Sequence, residues 1–209
     1  MLYLNEIDKM LEKAKEVTQT NGYSNMEYAR FADDLVVLVD NHKRHQWLSK
    51  AIVKRLREEF QKLRVEVNED KSRIIDLTVN ESFIFLGFQF RRTKSRSGKW
   101  MALYVPDIKK RTAVIRNIGE IFRQHQSQPI QGIVAQINPI LRGWVNYFRI
   151  GHATRCFCYL QQWVEGRIRR HLMRNMKRRG FGWKRWSREE LYQKLGIFND
   201  YKIRYIRAT

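Results

Sequence analysis

Cysteine and proline are scarce in this chain, and acidic residues become sparse in its second half. Only two cysteines occur among 209 residues. Cys156 and Cys158 stand one residue apart. That spacing suits no disulfide between them, and no second Cys or His pair offers zinc spacing. They read as small, mostly buried thiols in a reducing compartment, the cytoplasm first and an organelle as the alternative. No apolar run approaches the roughly 18 residues of a membrane span. The first ten residues carry Glu6 and Asp8, unlike a signal peptide. A hydrophobic fraction of 43% excludes wholesale disorder.

What is abundant is positive charge. Lys and Arg number 41 against 21 Asp and Glu, a balance of +20. Residues 1–90 hold 14 basic and 15 acidic residues, whereas residues 91–209 hold 27 and 6. The whole excess falls in the second part. Such a field repels itself and destabilises a fold, so a polyanionic partner is the economical explanation, and nucleic acid is the first candidate.

Apolar spacing organises the chain. Leu4, Ile7, Leu11, Ala14 and Val17 mark a helix over 2–18, stopped by Thr20-Asn21-Gly22. A strand from Met26 to Phe31, a tight acidic turn and a buried strand over Leu35–Val39 follow. Leu48, Ile52, Leu56, Phe60 and Leu63 stripe a second helix. Short strands are expected at Val65–Val67 and Arg73–Leu77, and longer ones over Phe83–Phe90 and Lys99–Val105. From Pro106 the period becomes helical: 108–126, then 129–148 with Pro139 expected to bend or break it, then 154–178. Ser187-Arg188-Glu189-Glu190 matches a capping box opening a last helix. The expectation is an α+β domain over 1–105 and a basic, all-helical domain over 106–209, with the boundary near 91–106.

The chemistry sits in Phe31-Ala32-Asp33-Asp34. Adjacent carboxylates at a tight turn repel unless a cation neutralises them, and hard oxygen ligands on a hairpin suit Mg²⁺. An ordinary hairpin turn rich in Asp is the plainer reading of these four residues.

Tyr28 to Asp34 resembles the Tyr/Phe-x-Asp-Asp hairpin of reverse transcriptases, specifically of the group II intron branch. The likeness continues in order through Leu2–Asp8, Val67-Asn68-Glu69-Asp70-Lys71-Ser72, Phe85-Leu86-Gly87-Phe88 and Gly143-Trp144-Val145-Asn146-Tyr147-Phe148. The resemblance implies a partial palm followed by a maturase, or thumb, domain. It implies Asp33 and Asp34 as catalytic Mg²⁺ ligands, with Phe31, Ala32, Lys71 and Gly87 near nucleotide and primer. The implied partners are structured group II intron RNA and a primer-template, and the implied setting is RNA splicing and a mobile element. The family's two-metal site also takes a third carboxylate on a strand upstream of the matched motifs. The expectation is therefore a truncated enzyme, inactive in primer extension without a separate N-terminal fragment. The alternative is a non-catalytic, maturase-like RNA-binding protein with a vestigial palm. His42 and His45 read as surface residues.

In the basic part, Arg142, Arg149, Arg155, Arg167, Arg169, Arg170, Arg174, Lys177, Arg178 and Arg179 gather with interleaved aromatics. Guanidinium forks suit phosphate. Trp144, Tyr147, Phe148 and Trp163 fit core positions, whereas Trp183 and Trp186, beside Gly180 and Gly182, are candidates for stacking on RNA.

Overall fold

The computed structural model describes residues 4–204. The chain divides into two compact units, 1–74 and 75–209. Leu2 and Tyr3, which the periodicity assigns to the first helix, lie outside the described residues.

In the first unit, α1 (Asn5–Thr18) precedes an antiparallel hairpin of β1 (Met26–Phe31) and β2 (Asp34–Val39), and α2 (Gln46–Lys62) follows. Ile7, Leu11, Met26, Leu48 and Ile52 form the core, with Leu35, Val37 and Val39 packed against it. Alternation along the strands puts Glu27, Ala29, Phe31, Asp34, Val36 and Leu38 on the opposite face. The apolar run Leu35–Val39 is thus not a fully buried strand: Leu38 is 46% exposed, because one face alone meets the core. The short strands expected around Val65 and at Arg73–Leu77 do not form. Residues 65–68 are irregular, and Leu77–Val79 is a single 3-10 turn capped by the Asp76 side chain, which accepts from Thr78 N. Asn, Asp, Glu and Lys interrupt the apolar residues there, leaving too few to cover a strand face.

The second unit, which includes the Leu77–Val79 turn, continues with the antiparallel sheet β3–β4–β5 (Ser82–Phe85, Phe88–Lys94, Trp100–Pro106). Four helices follow: α3 (Ile108–Gln124), α4 (Ile130–Phe148), α5 (Thr154–Asn175) and α6 (Arg188–Leu195). Asp107 caps α3, accepting from Lys109 N. Ser187 and Glu190 form the expected capping box on α6. Ile118, Ile133, Ile137, Leu141, Leu160 and Ile168 are fully buried between the helices; truncating one of them to Ala costs about 2–5 kcal/mol.

Two features differ from expectation. Helix α4 runs through Pro139 without a break. Proline there removes one backbone donor, yet Ile133, Ile137 and Leu141 keep the flanking turns buried. The Asn138 side chain anchors the helix to the chain after α6, donating to Gly196 O (2.9 Å) and accepting from Phe198 N (2.9 Å). Secondly, the sheet packs with the helices, although periodicity suggests a boundary near 91–106. Its apolar face needs cover, and the α4–α5 corner supplies it. Phe88, Phe148 and Phe157 share a core joined by Tyr104. His152 N donates to Tyr104 O at 2.8 Å. Gly151 makes this approach feasible, since a Cβ there would stand 2.8 Å from the Phe88 ring and 3.0 Å from Tyr104 O.

Candidate catalytic hairpin and nucleic-acid interface

Phe31 pairs with Asp34 in register, so Ala32 and Asp33 make a two-residue turn. Ala32 takes a positive φ of 55°, a strained choice for an L-residue. Arg30 restrains it. Its Nη1 donates to Ala32 O at 2.9 Å, and its Nε donates to Asp8 Oδ1 at 2.8 Å. A second bond joins Arg30 Nη2 to Asp8 Oδ2. This bidentate pair holds the Asp8 carboxyl below the usual carboxylate range. Helix α1 thus clamps the turn. Asp33 and Asp34 are exposed. Among the described residues, neither side chain forms an ion pair or hydrogen bond, so both carboxylates are available to a hard cation. No group of three His, Cys, Asp or Glu able to hold a metal occurs among the described residues.

Phe31 is 63% exposed on the open face of the hairpin. Lys71 is exposed at the end of a turn in which its backbone N–H donates to Asn68 O and Oδ1. Gly87 lies in the second unit, at the turn between β3 and β4. Leu86 and Gly87 both have positive φ, 49° and 74°, as a two-residue hairpin of matching twist requires. Tyr147 Oη donates to Leu86 O at 2.8 Å, and Asp107 N donates to Gly87 O at 2.9 Å. A Cβ at Gly87 would meet Lys110 and Phe148 at 3.5–3.6 Å. The turn is fastened to the helices.

The sequence-selected arginines split into two groups. Arg142, Arg167, Arg170, Arg174, Lys177, Arg178 and Arg179 are exposed. Arg149 and Arg169 are buried and structural. Arg149 donates to Asp200 Oδ2 at 2.7 Å and lowers the Asp200 carboxyl pKa. Arg169, 2% exposed, pairs with Glu165, 1% exposed, and its Nε donates to Trp186 O at 2.8 Å. Tyr192 Oη and Arg188 Nε each reach Glu165 Oε1 at 2.9 Å. Burial pushes the Tyr192 hydroxyl up to about 12. This network ties α5 to α6. A buried charge needs such partners, so Arg169 has no fork left for phosphate.

The aromatics divide likewise. Trp183 is 56% exposed, with the Arg169 guanidinium 4.2 Å from its ring centre. Trp186 packs against the helical core and is not a free stacking platform. Trp144 also packs in the core, as the sequence suggests, whereas Tyr147 is half exposed. Cys156 is half-buried and Cys158 exposed, so the expectation of mostly buried thiols does not hold. His42 is exposed and His45, half-buried, contacts Asp40 at 2.9 Å.

Sequence reasoning missed Arg116 and Arg123 on α3. With Arg167, Arg170 and Arg174 of α5 they line a groove of about 600 Å³ that also holds Trp163 and His171. Their signal was present: Arg116 and Arg123 are seven residues apart, on one helix face. Asp8 and Arg30, the turn's clamp, had no local signal, because they meet only through the fold.

Residues 1–90 match the family model of reverse transcriptase (RNA-dependent DNA polymerase), and residues 111–192 match that of the group II intron maturase-specific domain. No curated protein matches the chain significantly. The two matches, in that order, together cover most of the chain. The chain belongs to the group II intron reverse transcriptase/maturase family. Reverse transcriptases generally use Mg²⁺. Among the described residues, no helix is long and apolar enough to cross a membrane.

Proposed function

We propose that this chain binds structured group II intron RNA through its second unit and carries two carboxylate ligands of an RNA-directed DNA polymerase site in its first. The observation behind RNA binding is the set of exposed arginines on α4, α5 and the segment after α5, none of them in an ion pair among the described residues. Each can donate a forked pair of N–H bonds to phosphate. Phosphate neutralisation releases counterions, so affinity would fall roughly a thousandfold or more between 50 and 200 mM salt if 6–10 phosphates are contacted. Filter binding of a structured intron RNA across a salt series tests this, and a flat series defeats it.

Asp33 and Asp34 are the residues that would hold Mg²⁺, and their free carboxylates fit a hard cation. When bound, Mg²⁺ would help a primer 3′-hydroxyl attack and stabilise the departing pyrophosphate. The chain's own contribution is to hold the Ala32–Asp33 turn in place through Arg30 and Asp8. Two ligands leave in-line chemistry incomplete, so we expect extension only when a third carboxylate stands beside them. The competing reading, an RNA-binding protein with a vestigial palm, is favoured by the absence of a third ligand among the described residues. The free, adjacent Asp33 and Asp34 favour the catalytic one. Extension assays with a supplied N-terminal reverse-transcriptase fragment separate the two.

A further inference from the structure

The α3–α5 groove is the one cavity with a consistent chemistry among the described residues. Arg116 and Arg123 line one wall; Arg167, Arg170 and Arg174 line the other. Among the described residues none of the five is ion-paired, and Glu120 is the sole carboxylate in the lining. Elsewhere in this unit Arg149, Arg169 and Arg188 all reach carboxylates. The groove's charge is therefore left uncompensated in the free protein.

Two of these side chains are already held. Arg167 lies 5.0 Å from the centre of the Trp163 ring, and Arg174 Nη1 donates to Gln126 Oε1 at 3.0 Å. A guanidinium stacked on an indole keeps its N–H edge free for phosphate and loses little freedom on binding. The seven-residue spans 116–123 and 167–174 each extend about 10 Å along a helix at ~1.5 Å per residue. That is long enough for a few nucleotides of a single strand. A volume near 600 Å³ suits a small ligand or a short strand segment. Unpaired RNA presents phosphates together with bases able to stack on aromatic rings and guanidinium planes.

We infer that the α3–α5 groove binds a short unpaired RNA segment, its phosphates on Arg116, Arg123, Arg170 and Arg174 and a base against the Trp163–Arg167 stack. This rests on the RNA-binding reading above and specifies where and in what form the RNA is held.

Gly119 permits a test that removes no charge. It faces the groove, and a Cβ built there would stand 3.7 Å from Trp163 Cη2, an ordinary contact. Gly119→Ala adds only that contact and should fold, whereas Gly119→Phe should plug the slot. Fluorescence anisotropy of the full chain with an unpaired RNA of about ten nucleotides, and with a blunt RNA duplex of equal length, reads both. The expected result is a loss of about tenfold or more for the unpaired RNA with Gly119→Phe, with duplex binding unchanged. Circular dichroism checks folding. If Gly119→Phe does not fold, the exposed pair Arg116→Gln/Arg123→Gln takes its place, with the same selective loss expected. Parental affinity for unpaired RNA in a folded variant overturns the inference, and so does an equal loss for duplex. A parent chain that binds no RNA at low salt sinks the RNA-binding reading itself, a different failure from a parent that binds and a variant that does too.

Discussion

The two units use charge in opposite ways. Residues 1–74 are nearly neutral, and their ions face each other: Lys9–Glu6, Lys15–Glu27, Arg30–Asp8, His45–Asp40, Lys54–Glu58 and Lys62–Glu59. Asp33 and Asp34, at the hairpin turn, are in none of these pairs. Residues 75–209 carry 27 basic and 8 acidic residues. Among their few carboxylates, Glu165 and Asp200 hold the fold through buried arginines. Arg116, Arg123, Arg167, Arg170 and Arg174 then stand exposed over a larger apolar core. The unpaired groups compared have opposite signs: the Asp33 and Asp34 carboxylates at the hairpin turn, and guanidinium groups lining the α3–α5 groove.

The largest effect expected from breaking this contrast is in polymerisation. With the N-terminal fragment supplied, Asp33→Ala should reduce primer extension to background while leaving RNA affinity unchanged. Wild-type extension rates in that variant would remove Asp33 from the metal site. Next is the salt dependence of RNA binding. Replacing Arg167, Arg170, Arg174 and Arg178 together with Gln should flatten the log–log salt slope by up to about 3–4 units, each phosphate contact carrying roughly 0.9. An unchanged slope in a folded variant would move the interface towards the Arg91–Lys99 turn and the Trp183 segment.

The internal use of charge can be broken too. Glu165→Gln strands Arg169 and Arg188 in the α5–α6 network, and a loss of about 3–5 kcal/mol in denaturant unfolding is expected. A loss below about 1 kcal/mol would show the network to be slack. The smallest effect concerns Asp8. Its carboxyl is held below the ordinary value of 3.8 by Arg30, so its stabilising contribution is complete above that value. It fades as pH falls through the lowered one. Amide exchange in α1 and β1 should quicken over that acid range, and Asp8→Asn should remove the pH dependence. Equal acid sensitivity in both proteins would assign the effect to other groups.

Much of this was legible in the sequence because it is local. The acidic turn lies between two runs of period-two residues, and the capping box at Ser187 and Glu190 needs four consecutive residues. The α4 stripe survived Pro139 because burial of Ile133, Ile137 and Leu141 outweighed one missing hydrogen bond. The arginine cluster was legible as composition and misleading as a site. Its spacing held the answer in part: Arg167, Arg170 and Arg174 at i, i+3 and i+7 share a face, while Arg169 sits four residues after Glu165 on another.

The sequence by itself determined the family, the order of the two units, the acidic hairpin and the sign of the partner, since these follow from short motifs and from counted charge. Only the tertiary structure decided which charges are free. It buried Arg149 and Arg169, packed Trp186 against the helical core, brought Asp8 to Arg30 across 22 residues, joined the β3–β5 sheet to the helices through Gly151, and set Arg116 and Arg123 opposite Arg167, Arg170 and Arg174. The reason is physical: a charge buried in the core must be neutralised by whatever the fold brings beside it, and that neighbour is fixed by helix packing rather than by distance along the chain.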